Sequence, residues 1–315
     1  MTVLKRYFFQ ALLLLMLGTP LLSRGEMPGM PSTNIWARST ELFPGIRHAR
    51  LTTETPRLMC INFIRVDLAN PHIRFVTNLA DKDAGKPVPD CAPDKNGKPR
   101  FFIRTRRTTT GDFMEFCRKP VKDGGMGLPV VLAVNASPWT PWEKPFTHKY
   151  SDNMGLMVSG GRLICPSNGR SGLVITKKRT LEFRDFPKGN VDISDIHIAL
   201  CGFSMILKGD KIIVADNTKD LHPRTVYGLS ADKRFLYIIT VDGRQKEYSL
   251  GASLYECAQL MLYAGAADAM NMDGGGSTTL VKYDDQEKKP LLLNRPSSGG
   301  KYQRPVANTL GIYYR

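Results

Sequence analysis

Phe235-Leu-Tyr-Ile-Ile-Thr-Val-Asp242-Gly-Arg244, Ser253-Leu-Tyr-Glu256 and Ala269-Met-Asn-Met-Asp273-Gly-Gly-Gly-Ser277 follow one another in the last third of the chain. The first is an apolar run of strand length that ends in a carboxylate. The second is the Ser-x-x-Glu of a capping box. Behind it Leu254, Cys257, Ala258, Met261 and Leu262 recur at helical spacing and form one apolar face. Gly265 stands where that helix should stop. The third is a second strand, closed by a triple-glycine turn. Strand, helix and strand in this spacing predict a βαβ-like unit with parallel strands.

The pattern upstream is strand-rich. Residues 129–137 are a continuous apolar run that ends at Asn135, as a buried strand would. Residues 58–76 read as extended strand, and residues 154–215 as short strands and hairpins broken by glycine turns. Residues 109–117 suit one short helix, and the polar, Pro- and Gly-rich residues 81–100 a surface loop. Within that loop Asp94-x-Asn96-Gly97 lacks the bidentate acid of a calcium loop, so it reads as a turn. The whole predicts an α+β fold: a single strand-rich domain with a mixed sheet and a C-terminal βαβ-like unit. Its extent is residues 42–315, behind a lead-in at 26–41.

The 315 residues are 42% hydrophobic and 23% charged, with 14 Phe, 11 Tyr and 3 Trp, enough for a core. This excludes wholesale disorder and a multi-span membrane protein. The formal net charge is +15, and its basic residues are scattered, not blocked. No nucleic-acid motif accompanies them, which argues against nucleic acid; the charge alone fits a basic soluble surface as well as an anionic substrate or membrane. Residues 1–25 read as a signal peptide: Lys5 and Arg6, then an apolar run, then Gly18, Pro20, Ser23 and Gly25. The expected location is secreted, periplasmic or cell envelope, with no stable membrane span after cleavage. Six cysteines without a C-x-x-C pair argue against a zinc knuckle; Cys91, in a polar loop, is the disulfide candidate.

Chemistry concentrates at strand ends. If the two C-terminal strands are parallel, Asp242 and Asp273 share the edge where open sheets hold ligands. Alternation puts Asn271 and Asp273 on one face and sends Met270 and Met272 into the core. Asn135 ends a third strand. Each alone is more often the start of a turn; three beside Gly274, Gly275 and Gly276 indicate a site. Three glycines in a row are entropically costly and suit close approach to a backbone. Ser277 and Thr278 add hydroxyls and N–H groups able to cradle an anion. Arg224, in His222-Pro-Arg-Thr225, and Arg304, in a second polar cluster, suit a bidentate clamp on phosphate. Asn135, Asp242 and Asp273 are hard oxygen donors and would admit a divalent cation, although no dense carboxylate cluster surrounds them.

In order, His222-Pro-Arg-Thr, Val241-Asp-Gly-Arg244, Gly251-Ala-Ser-Leu-x-Glu256, Asn271-Met-Asp-Gly-Gly-Gly-Ser-Thr278 and Arg304-Pro-Val-Ala-Asn308 resemble the phosphodiester glycosidase family. Val134-Asn135-Ala136 and Ser151-Asp152-Asn153-x-Gly155 are similar to its upstream motifs. Val226-Tyr227, where small apolar residues are commoner, and the charged 81–100 loop depart from it. The resemblance implies hydrolysis of a sugar-1-phosphate diester to free sugar and phosphomonoester. It further implies Asp273 and Asp242 as catalytic carboxylates. The substrate would contact Asn135, Arg224, Arg244, Asn271, Gly274 to Thr278 and Arg304. A non-catalytic carbohydrate-binding envelope protein and a phosphodiesterase that cuts the P–O bond are the competing readings.

Overall fold

The two strands of the opening stretch lie in one sheet but do not touch. The computed structural model describes residues 29–142, 148–217 and 219–315; the expected signal peptide lies outside them. Strands β1 (Thr40–Phe43), β2 (Ile46–Thr53), β3 (Met59–Asp67) and β4 (Ile73–Thr77) come first, then helix α1 (Thr110–Arg118) and β5 (Val130–Asn135). There follow β6 (Ser204–Lys208), β7 (Lys211–Ile212), β8 (Arg224–Leu229), β9 (Phe235–Val241), helix α2 (Leu254–Ala264) and β10 (Asp268–Asn271). Last are β11 (Leu280–Asp284), β12 (Lys289–Leu292) and β13 (Thr309–Tyr314). The largest sheet runs β1-β2-β3-β9-β8-β10-β6-β7.

The sequence predicted β9 and β10 as a parallel pair in a mixed sheet. Instead β8 lies between them and pairs antiparallel with both, and the strand pairings of the described residues are antiparallel throughout. The crossover through α2 is therefore split by a strand. This still gathers the site. β8 begins where β9 and β10 end, with Arg224 opposite Val241 and Val226 opposite Asn271. Arg224, Asp242 and Asp273 thus meet at one rim.

Each face of the large sheet buries a different layer. Leu236 and Ile238 of β9 and Tyr227 of β8 point into a central core shared with Leu132 and Val134 of β5 and Leu310 and Ile312 of β13. Tyr237, Ile239 and Val241 face the other way, onto Cys257, Ala258 and Met261 of α2. Met270 and Met272 enter the central core, as alternation predicts. The second sheet, β12-β11-β5-β13-β4, closes that core and carries α1 on its outer side through Phe113, Met114 and Cys117. A third sheet contributes Leu173, Ile175, Ile198 and Leu200 at the flank. The order is helix, sheet, sheet, helix.

Local chemistry fixes the ends. Ser253 and Glu256 form the capping box of α2, and Gly265 terminates it at φ 97° in the left-handed region. Thr109 caps α1 by accepting from the Asp112 amide. Asp94 folds the 81–100 loop into a turn by accepting from the Asn96 and Lys98 amides. None of the six cysteines forms a disulfide. No helix of the described residues is long and apolar enough to cross a membrane.

One contact stitches the two large layers next to the site. The Tyr227 hydroxyl, fully buried, donates to the Asn135 carbonyl at 2.8 Å. Tyr227→Phe removes the donor and leaves that carbonyl short of a partner. We expect a loss of about 1–2 kcal/mol in denaturant unfolding with the fold retained.

Candidate active site

The triple-glycine loop is shaped by two arginines that lie on it. A Cβ on Gly276 would stand 2.2 Å from Nη2 of Arg304, and one on Gly275, itself at φ 61°, 3.1 Å from the Arg244 guanidinium. Gly274 packs against the Pro223 carbonyl at 2.8 Å by the same measure. A side chain at Gly275 or Gly276 would displace a cation and one at Gly274 would meet backbone, which is the close approach the three glycines imply. Arg244 also has a left-handed backbone, φ 60°, a strained state for a non-glycine residue that is usually held for function.

Asp273 sits beneath these cations. Its Oδ1 accepts from the Gly274 amide at 3.0 Å, while Oδ2 is buried without a hydrogen-bond partner. Ser277 Oγ and Trp139 Nε1 face it yet miss hydrogen-bond geometry, and among the described residues Asn271 Oδ1 and Arg304 Nη1 find no partner either. Buried polar atoms are rarely left so; several around one carboxylate are a feature of a ligand site. Burial pushes the Asp273 carboxyl up to about 6, against the opposing pull of Ser277 and Arg304.

The cavity above Asp273 has a volume of about 210 Å³. Arg224, Arg244 and Arg304 supply its charge, His222 and Asn271 its neutral polar groups, and Trp142 and Phe203 its aromatic wall. A larger cavity elsewhere is also lined by cations but has no Asp or Glu in its wall. Arg224 is anchored through Nε to the Ala252 carbonyl at 3.0 Å and through Nη2 to Asp220. His222 bridges Asp220, at 2.8 Å, and Arg244, at 3.2 Å. Burial and the neighbouring Arg224 hold the imidazole below its usual pKa, so it is neutral near pH 7. Arg244 is likewise depressed, by burial first and then by Arg304 and Arg224. Three guanidiniums that repel one another make a site that an anion stabilises.

The other expected residues divide by role. Asn135 is buried outside the cavity: its Nδ2 donates to the Asp273 carbonyl at 2.7 Å, and its Oδ1 accepts from Thr225 Oγ1 and the Thr279 amide. It holds the Asp273 backbone and does not line the cavity. Thr278 is buried as well, near Thr225. Asp242, expected as a second catalytic carboxylate, does not line the cavity. Both its oxygens are occupied: Oδ1 by Asn294 Nδ2, Oδ2 by the Tyr248 hydroxyl and the Arg295 amide, each at 2.9 Å. Asn294 Nδ2 also reaches the Thr278 carbonyl, so Asp242 acts on the glycine loop from behind. These bonds also consume the oxygens a cation would need. Among the described residues no three His, Cys, Asp or Glu side chains group as metal ligands.

Sequence reasoning did not select Trp142, Phe203, Asp220 or His222. His222 adjoins Arg224 in the quoted motif, so its signal was present; the aromatics come from separate loops with no pattern of their own.

The phosphodiester glycosidase family model matches residues 130–313. The chain belongs to this family. Among solved structures, the fold is similar to the catalytic domain of zebrafish N-acetylglucosamine-1-phosphodiester alpha-N-acetylglucosaminidase, auto-inhibited by its pro-peptide. That match has a TM-score of 0.55 at 18% identity, covering 88% of this chain and 86% of that one. A hypothetical protein from Synechocystis matches at TM-score 0.54 and 11% identity, over 88% of this chain and 63% of that one. A curated relative, the SPbeta prophage-derived uncharacterized protein YomE of Bacillus subtilis (strain 168), is 29% identical over 197 residues. The match spans 58% of this chain and 28% of that protein's length. The family match includes Asp273, its glycine loop and all three cavity arginines.

Gly276→Ala tests the loop geometry. The new methyl evicts Arg304 from the loop but leaves a flexible side chain to absorb the clash. Calorimetry should show inorganic phosphate binding weakened about tenfold by loss of one charge-assisted contact, with the melting temperature little changed.

Proposed function

We propose that this chain is a cell-envelope or secreted hydrolase that cleaves a sugar-1-phosphate diester to free sugar and phosphomonoester. Its domain would span residues 42–315, behind a cleaved signal peptide. The observation that carries the reading is one buried, half-unpartnered carboxylate, Asp273, under three converging arginines. Family membership supports the reaction class, and the basic charge of the chain suits an anionic substrate.

The chemistry follows from the charges. The bond that breaks joins the anomeric carbon to a phosphate oxygen. The departing phosphomonoester is already an anion and needs cationic stabilisation more than a proton. Arg224, Arg244 and Arg304 supply it from a preorganised, partly dry site. Asp273 serves as nucleophile, or as base toward water, at the anomeric carbon; the water hydroxyl ends on the sugar and the electron pair of the broken bond leaves with phosphate. Glycosidases ordinarily need a second carboxyl as acid for a poor leaving group. A phosphate leaving group removes that need, and this agrees with a cavity in which Asp273 is the single carboxylate among the described residues. Trp142 and Phe203 offer flat apolar faces for the sugar or its neighbour.

Four measurements test this reading. Hydrolysis of a glycosyl phosphodiester in heavy-oxygen water should place the label in the released sugar; label in phosphate would assign P–O cleavage instead. Asp273→Asn should lower kcat/KM by about a thousandfold or more. The same substitution should raise the melting temperature at pH 7, because it removes a charge that folding desolvates. The sign is set by the raised pKa: the buried carboxyl favours folding when protonated, and that contribution is lost as pH rises through about 6. Conversely the ionised form is the reactive one. Wild-type kcat/KM should therefore decline below about pH 6, about tenfold per pH unit.

A further inference from the structure

A second concave site lies at the opposite end of the large sheet. A cavity of about 450 Å³ opens between the turn that joins β3 to β4, the Thr176-Lys-Lys-Arg-Thr180 hairpin and the end of β13. Its charged wall is Arg74, Lys177, Lys178, Arg179 and Arg315, beside His197, whose pKa is lowered by burial and then by Lys177, and no Asp or Glu lines it. Among the described residues none of these Lys or Arg side chains makes an ion pair. The nearby Asp195 is held by Arg184 through both oxygens. The cavity floor is apolar, from Phe75 and Ile175.

Two features set this groove apart from scattered surface lysines. The Arg74 and Arg179 guanidiniums both donate to the Pro71 carbonyl, at 2.5 and 3.2 Å, so two like charges are fixed side by side. Arg179 also holds a left-handed backbone, φ 67°, where glycine or asparagine would be at ease. A strained arginine fixed beside a second one, with no Asp or Glu side chain on the cavity wall, is a combination that a bound anion would stabilise.

The position limits what that anion is. The groove adjoins Leu68, beyond the Asp67 end of β3, which pairs with Phe235; Asp242 follows the other end of β9. The seven residues of β9 at about 3.3 Å each separate the two sites by roughly 20 Å. A small diester fills one site or the other. A polymer with repeated phosphates engages both. We infer that this groove is a second, non-catalytic anion-binding site for a phosphate-bearing glycan chain, which it holds several repeat units from the bond being cut. The inference rests on the proposed reaction only for the identity of the chain it anchors.

The test uses the mature full-length protein and the double variant Lys178→Ser/Arg179→Gly. Glycine takes the left-handed backbone without strain, so the hairpin is kept. The probe is long-chain inorganic polyphosphate, titrated at fixed ionic strength in an Arg304→Ala background that weakens the catalytic pocket. The expected result is polyphosphate affinity about tenfold lower in the groove variant, with no affinity for uncharged dextran in either protein. In the Arg304-containing enzyme, the groove variant should keep kcat/KM on a small glycosyl phosphodiester. Equal polyphosphate affinity with and without the groove substitutions overturns the inference, as does equal binding of dextran. If wild type hydrolyses no glycosyl phosphodiester but polyphosphate binding still depends on the groove, the proposed reaction fails and the anion site stands.

Discussion

The Asn135 carboxamide ties the two large sheets together where the chemistry is. Its Nδ2 donates to the backbone carbonyl of Asp273, and its Oδ1 accepts at once from Thr225 on β8 and from the Thr279 amide beyond the glycine loop. A fourth bond returns through the Asp273 amide to the Ala136 carbonyl at 2.9 Å. The peptide that carries Asp273 is therefore gripped from both sides. A carboxylate stripped of water would otherwise gain by swinging out to solvent; this grip holds it under the arginines. Placement of the glycine loop, and of the cations that rest on it, follows from the same constraint.

Charge explains why the rest of the site is arranged as it is. Among the described residues the cavity sets one carboxylate, Asp273, against Arg224, Arg244 and Arg304. The structure offsets part of this with Asp220, which serves both Arg224 and His222, and with the ring of Trp142, 5.3 Å beneath Arg304. These supports fix orientation more than they cancel charge. Each guanidinium keeps N–H groups for a ligand, and the excess positive potential is left for an anion. Such a cost in stability is common at sites shaped for charge that arrives with the substrate.

Much of this was legible in the chain. Asn135, Asp273 and the glycine loop were readable because each stands where an apolar run ends, and a strand end has one place to send a polar side chain. The capping box of α2 and its apolar face were readable from spacing alone. The neighbour relation of β9 and β10 was not: period-2 alternation reports which face a residue takes, and β8 between the two leaves that alternation unchanged. Nor could spacing reveal that Arg244 and Arg304 lie on Gly275 and Gly276, or that Trp142 and Phe203 complete the wall. Those contacts join segments far apart in sequence, through loops whose composition carries no period.

The position of Asp242 shows how the two carboxylates came to differ. Both follow buried strands at the same rim, and both are desolvated enough to raise their pKa. Asp242 is met by three donors, from Asn294, Tyr248 and Arg295, which fill its acceptor directions and fix it as an anion that braces the loop through Asn294. Asp273 receives one backbone donor and keeps an oxygen turned toward the cations. A carboxylate whose lone pairs are all engaged is a poor nucleophile and a good strut; one held rigidly with a lone pair free is the reverse. Environment, more than residue type, thus sets the two aspartates apart, and it is the ground on which the proposed reactive role falls to Asp273.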